Sequence, residues 1–227
     1  LDYVGVGAVA DMPTGDFTFE MLFRSFGELD PNGPDQVFAS YATGSNDNEF
    51  LLYGYKDGRG LEVSFNGIRL ETGIRVDSLF DREMHRISVR VDPADEVIEV
   101  LIDGVLQFSR VSSISGGLEA NGTLIIGQEQ DSPGDGFNAN QTLSGEIGDI
   151  RIWSSLRTDA EIQANAFLEL ADPSGEPDLA ANFRADTSNQ GVMVNAVGTD
   201  HLAIRNAPDV IDAILPDLPD VTVIGMV

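Results

Sequence analysis

The sequence predicts an all-β domain built as a sandwich of antiparallel strands. Hydrophobic and polar residues alternate in short segments, which is the period-two pattern of half-buried strands. Turn residues separate these segments at close intervals, and this spacing favours a sandwich over alternating strands and helices. The 227 residues suit one all-β domain or at most two small ones, and 42% hydrophobic residues are enough for a core.

The predicted strands are short and are bounded by turn residues. Phe17, Phe19, Met21 and Phe23 alternate with residues of the opposite face, as in a half-buried strand. The Asp103–Gly104 pair is typical of a two-residue hairpin turn between neighbouring strands. The predicted strands cover residues 17–23, 49–55, 61–65, 85–91, 98–102, 105–108, 123–127, 145–153, 179–184, 192–197 and 201–205.

The segment after Thr158 predicts one short helix. Thr158 and Glu161 have the spacing of a capping box, in which each side chain accepts a backbone N–H of the other residue. Ile162 and Ala166 would then face the sheets. Pro and Gly at 173–175 end the helical pattern.

The domain organisation follows from composition along the chain. We assign residues 1–206 to a single domain. Residues 207–227 contain three prolines, with aspartates beside them, and we predict an extended tail or a last strand there. The chain begins at Leu1 without a leader pattern, so we interpret it as a mature chain or a module of a larger protein.

The charge of the chain excludes several kinds of partner. With 13 Lys and Arg against 38 Asp and Glu, the net charge is −25. Such a surface repels nucleic acid and anionic membranes, and no apolar run of about 18 residues predicts insertion into a bilayer. It favours divalent cations and suits saline surroundings, where self-repulsion is screened. The absence of Cys excludes disulfides and thiolate metal sites.

Three motifs imply chemistry that their context does not favour. The Gly5–Ala10 segment is similar to a dinucleotide-binding loop, but no helix pattern follows it. His85 and His201 lack the HExxH spacing of a zinc site, so structural roles are expected. Glu146 and Asp149 lie on opposite faces of a regular strand and therefore cannot flank one sugar bond without a bulge.

Residues 128–141 predict a loop that is rich in oxygen ligands. Calcium prefers about six to eight oxygens from a flexible loop, including carboxylates, amides and backbone carbonyls. In so acidic a chain, a window of this length holds about two carboxylates by chance, so a solvated acidic loop remains an alternative. The oxygen-bearing side chains are Glu129, Asp131, Asp135, Asn138, Asn140 and Gln141.

Two segments of the chain resemble the pentraxin family. Residues 126–153 are similar to the long calcium loop and the following strand of that family, and residues 40–49 are similar to its SYAT…DNE segment. The similarity extends over roughly residues 15–170. It implies a two-sheet jelly roll of the concanavalin A/laminin-G type, with one short helix packed on one face. The family's disulfide is absent here.

The resemblance also implies one or two calcium ions and a set of ligands. The first ion would take Asp47, Asn48, Glu129, the backbone carbonyl of Gln130, and Asp131. The second ion would take Glu129, Asp131, Asn138 and Gln141. Asn138 stands where the family has an acidic residue, so we predict a weaker second site. Tyr53 corresponds to the aromatic residue of the family's ligand pocket, and an ordinary sandwich-face tyrosine is the alternative.

These observations predict a calcium-dependent binding module that is not an enzyme. Its ligand would be a glycan or an anionic group such as phosphate or carboxylate. We expect a secreted or cell-surface location, within a bacterial adhesin that has neighbouring domains. Two alternatives stay open. One is a carbohydrate-binding appendage, or a catalytic glucanase domain, of a secreted polysaccharide-degrading enzyme, although a glucanase needs a row of carboxylates that is absent here. The other is a structural spacer made rigid by calcium.

Overall fold

The computed structural model describes residues 3–185, 191–205, 210–213 and 221–226. The all-β prediction with one short helix is confirmed. The strands are β1 Tyr3–Val9, β2 Phe17–Ser25, β3 Gln36–Ala42, β4 Phe50–Tyr55, β5 Gly60–Phe65, β6 Ile68–Glu71, β7 Met84–Asp92, β8 Val97–Ile102, β9 Val105–Val111, β10 Gly122–Ile126, β11 Gly145–Trp153, β12 Leu179–Ala185, β13 Val192–Asn195, β14 Leu202–Arg205, β15 Val210–Ala213 and β16 Val221–Met226. The helix α1 is Asp159–Ala164, and 3-10 turns form at Val76–Leu79 and Pro173–Gly175.

The strands form one antiparallel path that folds over on itself into two packed layers. The path runs β6-β5-β4-β3-β10-β1-β14-β13-β12-β11-β2-β7-β8-β9. Aromatic rings join the two halves of the path face to face. The ring of Phe17 on β2 lies 5.5 Å from Phe50 on β4, and Phe23 lies 5.2 Å from Phe38 on β3. The layers therefore enclose the core in the jelly-roll arrangement that the sequence predicted.

The core is filled by the inward-facing residues of both layers. On β2 the alternating residues Phe17, Phe19, Met21 and Phe23 are all fully buried. The hairpin turn between β8 and β9 also has the predicted form, because Asp103 and Gly104 have positive φ angles of 54° and 75°.

The helix segment covers the outer face of the layer that contains β2. The predicted capping box is present, because Glu161 donates its N–H to Thr158 Oγ1 over 3.3 Å and Thr158 donates its N–H to Glu161 Oε2 over 2.8 Å. Ile162 and Ala166 are buried, as expected. Ala166 follows the end of α1, because the helix stops at Ala164.

A buried ion network lies beneath this helix segment. Asp149 on β11 accepts Arg86 Nη2 over 2.8 Å and Asn182 Nδ2 over 2.7 Å, and it also contacts Arg151. Burial alone would raise the pKa of Asp149, but the guanidinium groups of Arg86 and Arg151 hold that pKa below its ordinary value. Arg86 Nε also donates to the carbonyl of Ala166 over 2.7 Å, which fixes the helix segment to the sheet.

Glu146 and Asp149 could lie on one face of β11 only if the strand had a bulge, and the structure has one there. Both carboxylates, however, have structural partners. The pairing of β2 with β11 shifts between Gly148 and Arg151, and Asp149 has a φ of 25°. Glu146 pairs with Arg24, and Asp149 belongs to the buried network. Both carboxylates are thus used in ion pairs.

The two histidines also have structural partners. His85 Nδ1 lies 2.9 Å from Asp103 Oδ2, and its Nε2 lies 3.1 Å from Asp81 Oδ1. The hydrogen bond with Asp103, supported by Asp81, raises the pKa of His85. Nδ1 of His201 accepts the N–H of Asn195 over 3.0 Å.

Four strands, β1, β3, β6 and β15, were not predicted from the sequence. The strand β1 includes most of the Gly5–Ala10 segment and pairs with β10 and β14, so this segment is a strand and not a phosphate-binding loop. Of the segment 207–227, the structure describes β15 and β16. These strands pair with each other, and β16 also pairs with β11 at Gly145–Ile147. The assigned domain boundary at residue 206 stays a prediction.

Candidate functional site

The candidate site is formed by two connections that emerge from paired strands. The first, residues 43–49, joins β3 to β4, and the second, residues 127–144, joins β10 to β11. Because β3 and β10 pair in antiparallel fashion along Ala39–Ala42, the two connections leave opposite ends of this strand pair. The second connection then runs back along the pair, where Gln130 contacts Ser40 and Thr123, and so reaches the rim from which the first connection leaves.

The buried side chain of Gln130 attaches the loop to these strands. Its Nε2 donates to the carbonyl oxygens of Ser40 and Thr123, each over 3.0 Å. Its Oε1 accepts the N–H of Gly134 over 2.8 Å, which fixes the first turn of the loop. The side chain is therefore fully used inside the protein, and only the backbone carbonyl of Gln130 remains as a possible metal ligand.

A second glutamine closes the loop over its own beginning. Gln128 Nε2 donates to the carbonyl oxygens of Asn138 and Gln141, over 2.8 and 2.7 Å. The N–H of Glu129 donates to the carbonyl of Gln141 over 3.3 Å. These bonds place Gln141 beside Glu129, although twelve positions separate them in the sequence.

Gly136 permits a close approach inside the loop. Its φ is +79°, and a Cβ at this position would lie 2.6 Å from the Cβ of Asp131. Only glycine fits both the backbone conformation and the space. The turn at Gly136 therefore sets where the Asp131 backbone lies.

Three carboxylates meet at the junction of the two connections. Burial, followed by the nearby charges of Asp131 and Asp47, raises the pKa of Glu129 to about 7, and only Arg69 opposes this shift. Asp47 and Asp131 also border one shared surface cavity. Within the described residues, the negative charges that act on Glu129 therefore outweigh the one opposing charge, that of Arg69.

Among the described residues, two of the predicted ligands have a buried oxygen atom without a hydrogen-bond donor. These atoms are Oε2 of Glu129 and Oδ1 of Asn48, whose amide Nδ2 donates to Asp47 Oδ1 over 3.2 Å. A buried acceptor without a partner is costly, and a cation beside such an atom would offset this cost. Carboxylate, amide and carbonyl oxygens are also the ligands that calcium prefers, so the donor set fits this ion.

The side chains of the predicted ligands do not all come together at one point. Asn138 is exposed, and its Oδ1 accepts the N–H of Asn140 over 3.0 Å. Within the part of the chain that the structure describes, His, Asp and Glu side chains form no group of three that could hold a metal ion. Any ion here would therefore depend on amide and backbone oxygens as well as on Glu129 and its acidic neighbours.

Tyr53 lies beside this loop and is largely enclosed. It is 6% exposed, and its hydroxyl donates to Asp35 Oδ2 over 2.8 Å. The side chain of Gln141 lies beside the same hydroxyl, and the ring of Tyr55 lies 4.7 Å away. Burial and the Asp35 carboxylate together raise the pKa of Tyr53 well above its usual range. Tyr53 is thus linked to the loop through Gln141.

Asp35 is a site residue that the sequence analysis missed. Its N–H donates to the carbonyl of Asn140 over 2.9 Å, and its own carbonyl accepts the N–H of Thr142 over 3.1 Å. Its carboxylate accepts hydrogen bonds from the hydroxyl of Tyr53 and the N–H of Lys56. Asp35 therefore joins the end of the loop to the sheet. No local pattern indicates this role, because every partner is distant in sequence.

The fold defines a class of two-sheet jelly-roll proteins with an oxygen-rich loop at one rim. The sequence model of the Pentaxin family matches residues 1–173. The chain belongs to the pentraxin family, as the resemblance in the sequence indicated.

Relatives in sequence cover a similar part of the chain. This chain is 30% identical over 156 residues to the C-reactive protein of Mesocricetus auratus, and the match covers 69% of this chain and 67% of that protein. It is 30% identical over 160 residues to the human C-reactive protein, covering 70% and 68%. It is 33% identical over 123 residues to the serum amyloid P-component of Bos taurus, covering 54% and 53%.

Solved structures show the same fold. A heptameric serum amyloid P-like pentraxin from Limulus polyphemus matches with a TM-score of 0.55 at 20% identity, covering 73% of this chain and 75% of that chain. A Bacteroides ovatus protein with a proposed role in carbohydrate binding matches with a TM-score of 0.67 at 19% identity, covering 90% of this chain and 56% of that chain.

In the described part of this chain, no helix has the length and hydrophobicity needed to span a bilayer.

Proposed function

We propose that this chain is a calcium-dependent binding module, and not an enzyme, that recognises glycans or anionic groups through protein-bound calcium. One observation supports this above all others: the buried Glu129 carboxylate has an oxygen without a donor and faces the charges of Asp47 and Asp131. A buried charge of this kind is stabilised by a cation. Membership of the pentraxin family supports the same choice.

The proposed ligands follow the two segments that meet at the rim. The first ion would be held by Asp47, Asn48, Glu129, the carbonyl of Gln130, and Asp131. The second would be held by Glu129, Asp131, Asn138 and Gln141. The exposed amide of Asn138 carries no charge, so the second ion would bind more weakly.

Charge explains how such a site would select its ligand. Two divalent ions outweigh the negative charge of the three carboxylates, so the rim would be locally positive on a protein of net charge −25. When bound, calcium supplies open coordination positions for phosphate, carboxylate or hydroxyl oxygens. Tyr53, held by Asp35 and Gln141, would limit the space beside the ions.

The structure also supports a binding function over catalysis. Among the described residues, the two carboxylates that could suggest a glycosidase are ion-paired with Arg24 and with the buried arginines. The Bacteroides ovatus neighbour, with its proposed role in carbohydrate binding, favours a glycan as ligand. We propose a secreted or surface setting in a bacterial adhesin, because the acidic composition suits calcium-rich, saline surroundings. A carbohydrate-binding appendage and a calcium-stiffened spacer are the alternative functions.

Calorimetry of the metal-free protein tests calcium binding. We expect the wild type to bind calcium with measurable heat and Glu129→Gln to lose the tightest step. Glu83→Gln, an exposed glutamate before β7, serves as the matched control and should bind like the wild type. Absence of heat at millimolar calcium would contradict the proposal.

A glycan array that includes phosphorylated and carboxylated sugars tests the ligand. Binding should require calcium, disappear in chelator and in Glu129→Gln, and persist in Glu83→Gln. Ligand binding that survives chelation would contradict the calcium-dependent function. Calcium binding without any ligand would instead favour the structural spacer.

A further inference from the structure

A second oxygen-lined cavity lies beside the candidate site, outside the proposed ligand set. It has a volume of about 310 Å³ and lies between the connection of residues 43–49 and the segment that follows β9. Every residue around it is polar or glycine, so its lining is mostly polar and is poorly suited to a sugar ring or an acyl chain. The cavity is lined by Ser45, Asn46, Glu49, Asn66, Ser115, Gly117 and Glu119.

Glu49 lines this cavity, and one oxygen of its carboxylate has no hydrogen-bond partner among the described residues. Its side chain is 1% exposed, and Oε1 accepts the N–H of Glu119 while Oε2 is buried and has no hydrogen-bond partner. The hydroxyl of Thr43 lies close to the Glu49 carboxylate and lowers its pKa, and this hydroxyl is shared with Ser45 Oγ at 3.0 Å. Burial nevertheless raises the pKa of Glu49 overall, and a cation beside the buried carboxylate would offset this cost.

A second carboxylate and several neutral oxygens surround the same space. Glu119 is exposed, and its Oε2 accepts Ser45 Oγ over 2.7 Å. The carbonyl oxygens of Ser115 and Gly117 accept Asn66 Nδ2, each over 3.2 Å, and a carbonyl can accept a further contact. Among the described residues, no Lys, Arg or His forms an ion pair with Glu49 or Glu119.

We infer that Glu49 and Glu119 form a separate binding site for one divalent cation, with calcium as the expected ion. The set of two carboxylates, a hydroxyl and backbone carbonyls matches the hard oxygen ligands of calcium, with water completing the shell. None of these oxygen donors belongs to the ligand set of the proposed calcium pair, so this site goes beyond the proposed function.

The location of this ion gives it a specific consequence. The connection of residues 43–49 carries both Ser45 and the proposed ligands Asp47 and Asn48. Glu119 belongs to a different connection, between β9 and β10. An ion between Glu49 and Glu119 fastens the two connections together and restricts the segment that presents Asp47.

Counting bound ions by native mass spectrometry in calcium tests the inference. Glu129→Gln removes the proposed pair and provides the background in which the additional ion is counted. In this background we expect one retained ion, which Glu119→Gln removes. Glu119 is exposed, so this variant should fold. The double variant Glu129→Gln with Glu83→Gln is the control and should keep the ion.

The Glu49→Gln substitution provides an independent check, because its amide oxygen can still accept the N–H of Glu119. We expect it to weaken the retained ion by at least tenfold in a calcium titration, as expected for loss of a charged ligand. If the Glu129→Gln background binds no ion, or keeps its ion in both further variants, the inference is overturned. Failure of the proposed function has a different signature: Glu129→Gln then binds as many ions as the wild type.

Discussion

Two buried carboxylates on the two layers of the sandwich have opposite surroundings. Asp149, 2% exposed under the helix segment, receives bonds from Arg86 and Asn182 and contacts Arg151. Glu129, 4% exposed at the rim, has one carboxylate oxygen without a partner. The pKa of Asp149 is lowered, whereas the pKa of Glu129 is raised to about 7.

The difference separates a structural charge from a binding charge. Burial is nearly equal at the two positions, so solvent exclusion alone does not decide the direction of the pKa shift. Neighbouring charge decides it, because two guanidinium groups flank Asp149, while two further carboxylates act on Glu129. The protein itself neutralises the first carboxylate, whereas the second keeps an oxygen without a partner among the described residues, as the proposed cation site requires.

The largest expected effect is the loss of the Asp149 charge. Asp149→Asn should lower the free energy of unfolding by about 3–5 kcal/mol, because two buried guanidinium groups lose their counter-ion. Urea denaturation measures this change. Asp159→Asn removes an exposed partner of Arg90 and should cost less than about 1 kcal/mol. Similar losses in the two variants would contradict the role of Asp149 as the counter-ion of the buried guanidinium groups.

Removal of the Glu129 charge should change the stability of the protein in opposite directions in chelator and in calcium. In chelator, Glu129→Gln should be at least as stable as the wild type, because it removes an unbalanced buried charge. At calcium about 100-fold above the dissociation constant, the wild type should gain about 2.7 kcal/mol from the tightest ion and the variant should lose this gain. Thermal unfolding under both conditions measures the reversal. Equal destabilisation under both conditions would show that Glu129 is a structural group like Asp149.

The turn at Gly136 should affect the loop but not the buried network. Gly136→Ala places a Cβ 2.6 Å from the Cβ of Asp131 at a φ of +79°. We expect a loss of stability of about 1–3 kcal/mol and weaker calcium binding. Gly73→Ala is the matched control, since its φ is +74° but no atom lies within 4 Å of the added Cβ. Calcium affinity should be unchanged in the control, and an equal loss in both variants would exclude the contact with Asp131 as the cause.

The smallest expected effect is the pH dependence of the metal-free protein. Glu129 has a folded pKa of about 7, above its ordinary value of 4.5. Its contribution to stability is therefore complete below the unfolded pKa and is lost as the pH rises through about 7. The melting temperature in chelator should fall more between pH 5 and pH 8 for the wild type than for Glu129→Gln. Parallel pH profiles of the two proteins would contradict the raised pKa.

The alternation of residues in the sequence predicted those strands that place hydrophobic residues on one face and different residues on the other. In β2, inward phenylalanines alternate with outward residues, and the strand is where the pattern placed it. In β3 the apolar residues Val37, Phe38 and Ala39 follow one another, so the sequence does not alternate with period two. The strand β1 begins with a glycine-containing segment, and β6 has only four residues. The jelly-roll arrangement required the resemblance, because alternation does not encode the order of strands.

The candidate site was only partly accessible from the sequence. The resemblance named Asp47, Glu129 and Asp131, and the structure brings their charges together, but their role as ligands stays a prediction. Asp35 and Glu49 were not found. Their roles depend on bonds to the distant residues Tyr53 and Glu119, and such pairings have no local pattern.

Gln128 and Gln130, on either side of Glu129, have a consequence for the kinetics of metal capture. Their amides hold the loop in its final path with neutral bonds that do not depend on an ion. Capture of an ion then requires little chain rearrangement. We expect the rate of ion capture to be governed by how fast the ion loses its bound water. We also expect calcium binding to produce only a small change in heat capacity.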